Sequence, residues 1–280
     1  MRIGFINDRP QLVRDGVAID IAEASSGRFA TAELLYDKWD EFREWAGSGI
    51  EAAGRPFLES DLQAPSPRPR QVFGIGLNYR AHQIESGLSR PEVPLVFTKF
   101  PSSLVGPRGE ITLPTGEVDW EVELAVVIGS RAYRVAADGA WSHVAGITAA
   151  QDVSARDVQM RPSGTPQFSL GKSFPGFTPM GPLLVTLDEL PDPDDIRLSC
   201  SVNGVERQSS TTSDLIFGVP ELIVYLSSVL PLLPGDVILT GTPSGVGIGQ
   251  DPPVFLRPGD RITTRVADLT MEHLCVAPAV

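Results

Sequence analysis

Seven short apolar runs, QVFGIGL, PLVFTKF, VELAVVIG, GPLLVTL, LSCSVNG, GDVILTG and DRITTRV, lie between residues 71 and 266, set apart by glycine, proline and charged residues. Runs of this length between turn-forming residues read as strands. With 27 Gly and 25 Pro punctuating the chain, they predict an antiparallel or mixed β architecture and not regular βαβ winding. One helix interrupts the pattern. In VPELIVYLSSVL, Pro220 takes a first-turn position, and Val219, Leu222, Ile223, Leu226 and Val229 form an apolar stripe. The expected class is α+β, predominantly β.

The first 64 residues differ in character. RIGFI and VAIDI read as two short strands, with the turn NDRP and the charged QLVRDG between them. Leu35, Trp39, Phe42 and Ala46 then recur at the spacing of one helical face. The run APSPRPRQ, with Pro65, Pro67 and Pro69, continues neither a helix nor a central strand. A boundary is expected there, with a small N-terminal α/β domain over residues 1–64 and a larger domain over residues 65–280.

No apolar run is long enough to span a membrane, and MRIGFINDRP meets a charged turn too early for a signal peptide. Two cysteines, Cys200 and Cys275, make neither a disulfide framework nor a Cys-rich zinc site. A soluble, cytoplasmic protein with no membrane partner is expected. The formal charge of -12 argues against a nucleic-acid surface. It also requires that an anionic substrate be captured by local cations.

The stretch VDWEVELAVVIG is strand-like, yet Asp119, Glu121 and Glu123 recur at period two. Alternation sends these three to one face with Ala125 and Val127, and Trp120, Val122, Leu124, Val126 and Ile128 to the other. Same-face neighbours stand about 6.6 Å apart, so in a partly buried setting each pair repels by roughly 2.5 kcal/mol. A wet strand face would remove the problem. So would a divalent cation, since carboxylates are ligands of hard ions such as Mg²⁺, Mn²⁺ or Ca²⁺. A third ligand is offered by VAGITAAQDVSARDVQM, where Asp152 follows a small apolar stretch and Arg156 and Gln159 come four and seven residues later, as on one helical face. Helix capping by Asp152 is the competing account.

Other polar residues have chemical potential. His82 and Glu85, in NYRAHQIESG, can meet on one helical turn, where the carboxylate would orient the imidazole. His143 and His273 lack such company and read as structural. Lys172, in FSLGKSFPGF, stands where a lysine could be desolvated and aimed at a substrate oxygen; an ordinary turn lysine is the alternative. GTPSGVGIG lacks the lysine of a phosphate loop and matches neither G-x-G-x-x-G nor G-x-S-x-G, so it reads as a tight turn presenting Thr242 and backbone amides.

In order from about Arg68 to Val266, the segments GIGLNYRAHQIESG, PLVFTKFPSSLVGP, DWEVELAVVIG, AAQDVSARDVQ, GKSFPGFTPMGP, TSDLIFGVPELI and LPGDVILTGTPSGVG together resemble the fumarylacetoacetate hydrolase family. The resemblance implies a mixed β-roll, usually dimeric, with a smaller N-terminal domain. It implies Glu121, Glu123 and Asp152 as ligands of Mg²⁺ or Mn²⁺, and His82 and Glu85 as a catalytic dyad on a lid. Lys172, Gln159 and Thr242 correspond to substrate-contacting positions and Arg156 to a cation that supports the ligands or binds substrate, while Arg80 falls at a variable lid position and is expected as a specificity contact.

The reaction expected first is hydrolytic C–C cleavage of a small anionic keto acid, a 2,4-dioxo acid of the acylpyruvate type. His82 would activate water, while Lys172, Gln159 or Thr242 would stabilise the oxyanion. Three carboxylates and a dication sum to one negative charge. The same pocket would serve decarboxylation of oxaloacetate-like acids or enol–keto isomerisation of unsaturated dioates. A metal-binding interaction protein without activity is the reading from another class.

Overall fold

All seven apolar runs form strands: Val72–Gly76, Leu95–Thr98, Val122–Ile128, Thr178–Val185, Arg197–Val202, Val237–Leu239 and Arg261–Val266. The computed structural model describes residues 1–50, 52–160 and 164–279. An 11-stranded sheet carries five of the seven, in the order Thr178–Val185, Val144–Gln151, Val122–Ile128, Val237–Leu239, Val72–Gly76, Leu95–Thr98. Neighbours are antiparallel except Val237–Leu239 with Val72–Gly76. A five-stranded sheet holds the other two runs with Val205–Thr211, Leu269–Val276 and Arg108–Thr112. The architecture is α+β and predominantly β, as the punctuation predicts.

The N-terminal residues extend this framework. Arg2–Ile6 pairs with Thr178–Val185, so residues 1–64 add strands to the edge of the large sheet. A strand not expected from sequence, Arg9–Arg14, joins Arg2–Ile6 to Val17–Asp20 as an antiparallel meander. Its turns are Asn7-Asp8 and Asp15-Gly16, all at positive φ, the backbone that tight two-residue hairpins require. The predicted helix is two, Ala32–Asp37 and Trp39–Gly47, and the four spaced residues Leu35, Trp39, Phe42 and Ala46 are all buried. Helix Val219–Val229 forms as expected, but its last stripe residue, Val229, is 73% exposed.

Strand Val122–Ile128 is buried on both sides, and its alternation separates two cores. Val122, Leu124, Val126 and Ile128 join Trp120 in one cluster. Ala125 and Val127 face the other, where Phe5, Leu35, Trp39 and Phe42 of the N-terminal segment pack. Glu121 and Glu123 lie on that second face, at the end of the strand where packing gives way to a cavity. His273 is buried, with Nε2 bonded to the Gly106 carbonyl at 3.0 Å, and burial pushes it down to about 4. It is a neutral structural histidine, as expected.

Candidate active site

Register assembles the acidic cluster. Val122 pairs with Gln151 and Glu123 with Ala150, and the Asp152 amide donates to the Glu121 carbonyl at 2.9 Å. Asp152 therefore comes from a strand end beside Glu121, and not from the helical face that spacing suggested; the helix begins only at Arg156. One oxygen from each of Glu121, Glu123 and Asp152 lies within 4.8 Å of the other two, and all three residues are buried. Oxygens sharing one Mg²⁺ lie about 3 to 4 Å apart, given Mg–O bonds of about 2.0–2.1 Å. The spacing and the all-oxygen donor set therefore fit a hard divalent cation.

The ladder is interrupted at Trp120 and Glu121, and two buried glutamines satisfy the backbone there. Gln151 Oε1 accepts from the Glu121 amide and Gln208 Oε1 from the Val122 amide, each at 2.9 Å. The turn after Val237–Leu239 closes the other side. Gly241 N donates to Glu123 Oε2 at 2.7 Å. Its φ of +104° and the 2.8 Å from a built Cβ to Asn78 Cβ leave room for glycine alone.

Three cations surround the cluster. Lys172 Nζ donates to Glu121 Oε2 at 2.6 Å, Asp152 Oδ2 at 2.8 Å and Ser154 Oγ at 2.8 Å. These bonds occupy all three of its N–H groups. Lys99, fully buried, bonds Asp152 Oδ1 and the Phe177 carbonyl. Arg156 reaches Glu121 Oε1 and Asp119 Oδ2, both at 2.7 Å, and Gln159 Oε1 at 2.8 Å. Burial would raise Glu121, but Lys172 and Arg156 outweigh it and hold the carboxyl down at about 2. Among the described residues, no cation lies in contact with Glu123. Burial, with Asp152 and Glu121 beside it, pushes its carboxyl well above the usual range. A buried carboxyl disfavoured in its charged form beside two others is the arrangement that a bound cation would relieve.

A cavity of about 560 Å³ opens over the cluster. His82, Glu85, Arg156, Gln159, Lys172 and Thr242 line it with the three acids, and Leu95, Phe97, Phe168 and Ile248 form apolar wall. Helix Arg80–Ser86 brings His82 Nδ1 to 2.8 Å from Glu85 Oε2. Gln159 offers its NH₂ group, its oxygen being held by Arg156. The Thr242 hydroxyl donates to the Val122 carbonyl at 2.9 Å and accepts from Gln208 at 2.8 Å, so it fastens the loop.

Arg80 is not brought in. Its Nη1 donates to the Ser213 carbonyl at 3.1 Å, and the residue is absent from the cavity lining. Two residues correspond to about 200° around a helix, so Arg80 and His82 point apart.

Sequence reasoning does not single out Lys99, Gln151 or Gln208, and it assigns Asp119 no separate role. Lys99 sits within the quoted run PLVFTKF, and a lysine alone in an apolar strand was the available signal. Asp119 was grouped with Glu121 and Glu123 by period two. The break in the strand turns it instead to Arg156 and to the amides of Gly247 and Ile248. Counting Asp119, four buried carboxylates face three buried cations. With all four carboxylates ionised, a dication there would change the local sum from one negative to one positive.

A family profile described as fumarylacetoacetate (FAA) hydrolase C-terminal matches residues 71–276. A mitochondrial oxaloacetate tautomerase of Homo sapiens is 48% identical over 216 residues, 76% of this chain and 68% of that protein. A Mycobacterium smegmatis protein solved under the provisional name HpcE is 48% identical with a TM-score of 0.94, each chain covered in full. Maleylpyruvate hydrolase from Sphingobium, solved with manganese(II) and pyruvate, is 28% identical with a TM-score of 0.82, again with both chains covered in full. With more than half of its length matched by the family profile, the chain belongs to the fumarylacetoacetate hydrolase family.

Proposed function

We propose that this protein interconverts the enol and keto forms of a small 2-oxo dicarboxylate of the oxaloacetate type, with Mg²⁺ or Mn²⁺ held by Glu121, Glu123 and Asp152. The observation that carries the reading is the placement of His82 and the acidic cluster in one cavity, in a chain 48% identical to an oxaloacetate tautomerase. These relatives support proton transfer ahead of the hydrolytic cleavage that the sequence motifs put first.

With Glu85 accepting from Nδ1–H, His82 keeps Nε2 as its basic atom. Nε2 takes a proton from C3 of the keto acid, the electron pair forms the C2–C3 double bond, and the C2 oxygen takes the proton back from the His82 imidazolium, which restores the neutral base. One C–H bond is exchanged for one O–H bond, without water or CO₂. A divalent cation on the three carboxylates would supply Lewis-acid stabilisation to an oxygen gaining negative charge. Gln159 offers N–H donors to the substrate carboxylate, while Lys172 and Arg156 hold the ligand carboxylates in place.

Hydrolysis is the second reading. It is favoured by the His82–Glu85 pair, which could equally activate water, and by the maleylpyruvate hydrolase relative. The proposal also includes a cytoplasmic homodimer; exposed Val96 and Val229, which line one groove, support the dimer.

The test follows decay of enol oxaloacetate, pyruvate release and acetylpyruvate cleavage in parallel, with Mn²⁺ and with excess chelator. Enol decay should be accelerated only with metal and without matching pyruvate release. An enol decay rate equal to buffer at saturating Mn²⁺ would defeat the proposal, and acetylpyruvate turnover would then favour hydrolysis.

A further inference from the structure

We infer that loop 245–249 is a seat that orients His82 through Glu85, with Gly249 and Asp119 as positioning residues; the inference rests on His82 being the proton carrier proposed above. Glu85 divides its two oxygens. Oε2 meets His82 Nδ1 at 2.8 Å, and Oε1 accepts from Gly245 N at 2.8 Å. A carboxylate fixed at one oxygen presents the other in a defined direction, so the Gly245 amide sets the position of the imidazole.

The loop is anchored to the base of the acidic cup. Asp119 Oδ1 accepts from Gly247 N at 2.7 Å and Oδ2 from Ile248 N at 3.0 Å, while Arg156 Nε bonds the same Oδ2 at 2.9 Å. Asp119 is fully buried and is linked to the acid cluster through Arg156. It ties the loop under His82 to the arginine that holds Glu121.

Gly249 makes the fit close. A Cβ there would stand 2.8 Å from Glu85 Cδ and 3.0 Å from Oε1, inside contact distance. Its backbone is not in the left-handed region, so alanine is tolerated by the chain itself. What must yield is the Glu85 side chain. Gly249→Ala therefore disturbs the His82–Glu85 pair from outside, leaving the acid cluster and its cations alone.

The experiment combines ¹⁵N-histidine spectra, Mn²⁺ titration and turnover for wild type, G249A, H82A and the double variant. With three histidines in the chain, the His82 signal is found by its loss in H82A. G249A should shift that signal and leave His143, His273, Mn²⁺ affinity and the unfolding midpoint unchanged. On the enol substrate, kcat should fall at least tenfold with KM held. In the H82A background G249A should cost nothing further. An unmoved His82 signal, or a full second loss of rate in the H82A background, overturns the inference. The spectra need no substrate, so a shifted signal in a protein inert toward oxaloacetate would support the seat and count against the functional reading alone.

Discussion

Glu121, Glu123 and Asp152 stand at the ends of two adjacent strands in the large sheet, buried with their cations around them. His82 stands on helix Arg80–Ser86, which buries none of its residues and leaves Ile84 74% exposed. The two regions face each other across one cavity but are held by different means. The cup shares the strand that divides both hydrophobic clusters, so loosening it means opening the fold. The helix is held by polar contacts: Glu85 to Gly245 N, Ala81 N to Asp214, and Arg80 to the Ser213 carbonyl. Groups that must keep like charges together belong to the cooperative core, while the proposed proton carrier sits on an exposed helix, the kind of element expected to have low local stability.

The largest effect that would sharpen this contrast comes from His82→Ala. Loss of a general base removes about 10² to 10⁴ in rate, and this variant should lose that much kcat while its unfolding midpoint and Mn²⁺ affinity match wild type. Urea unfolding and calorimetric Mn²⁺ titration check it. A parallel fall in stability would mean that the helix belongs to the same cooperative unit as the cup.

Lys99→Met tests the opposite side. It leaves Asp152 Oδ1 without its donor in a buried site, while the Phe177 carbonyl keeps the Val153 amide at 3.1 Å, and breaking a buried pair from one end costs about 3–5 kcal/mol. Burial pushes Lys99 below the usual lysine range, against the pull of Asp152. A bound dication takes over part of the neutralisation and stabilises the native state by mass action. The loss measured in urea should therefore be smaller with saturating Mn²⁺ than with chelator. Equal losses would separate Lys99 from the metal site.

These two regions were also unequally legible. The β class followed from glycine and proline punctuation, and the three acids from period two and the family resemblance. The helix-like spacing of Asp152, Arg156 and Gln159 misled, because register across to Glu121 and not helical phase brings Asp152 into place. Strand Arg9–Arg14 was hidden by its charges, although Asp15-Gly16 after it is a strong hairpin signal. Lys99 was not legible as a partner of Asp152, since 53 residues separate them and only tertiary packing joins them. Asp119 looked like a third member of a period-two set until the strand broke at Trp120. Local pattern reveals which residues are unusual for their element. Which unusual residues neutralise one another is set by sheet order.

The smallest effect concerns Arg80, which shares the helix with His82 but not its direction. Its guanidinium bonds the Ser213 carbonyl and lies 3.9 Å from Asp214 on a half-exposed surface, where such a pair is worth about 0–1 kcal/mol. Arg80→Ala should leave kcat and KM for a dicarboxylate within about threefold of wild type, since about 0.6 kcal/mol corresponds to that ratio. Steady-state kinetics at low salt is the sensitive measurement, because screening would hide a long-range contribution. A tenfold rise in KM confined to the dicarboxylate, with a monocarboxylate unaffected, would mean that Arg80 turns inward when substrate arrives. The helix would then carry recognition as well as proton transfer, and the cup would no longer account for all of the anion binding.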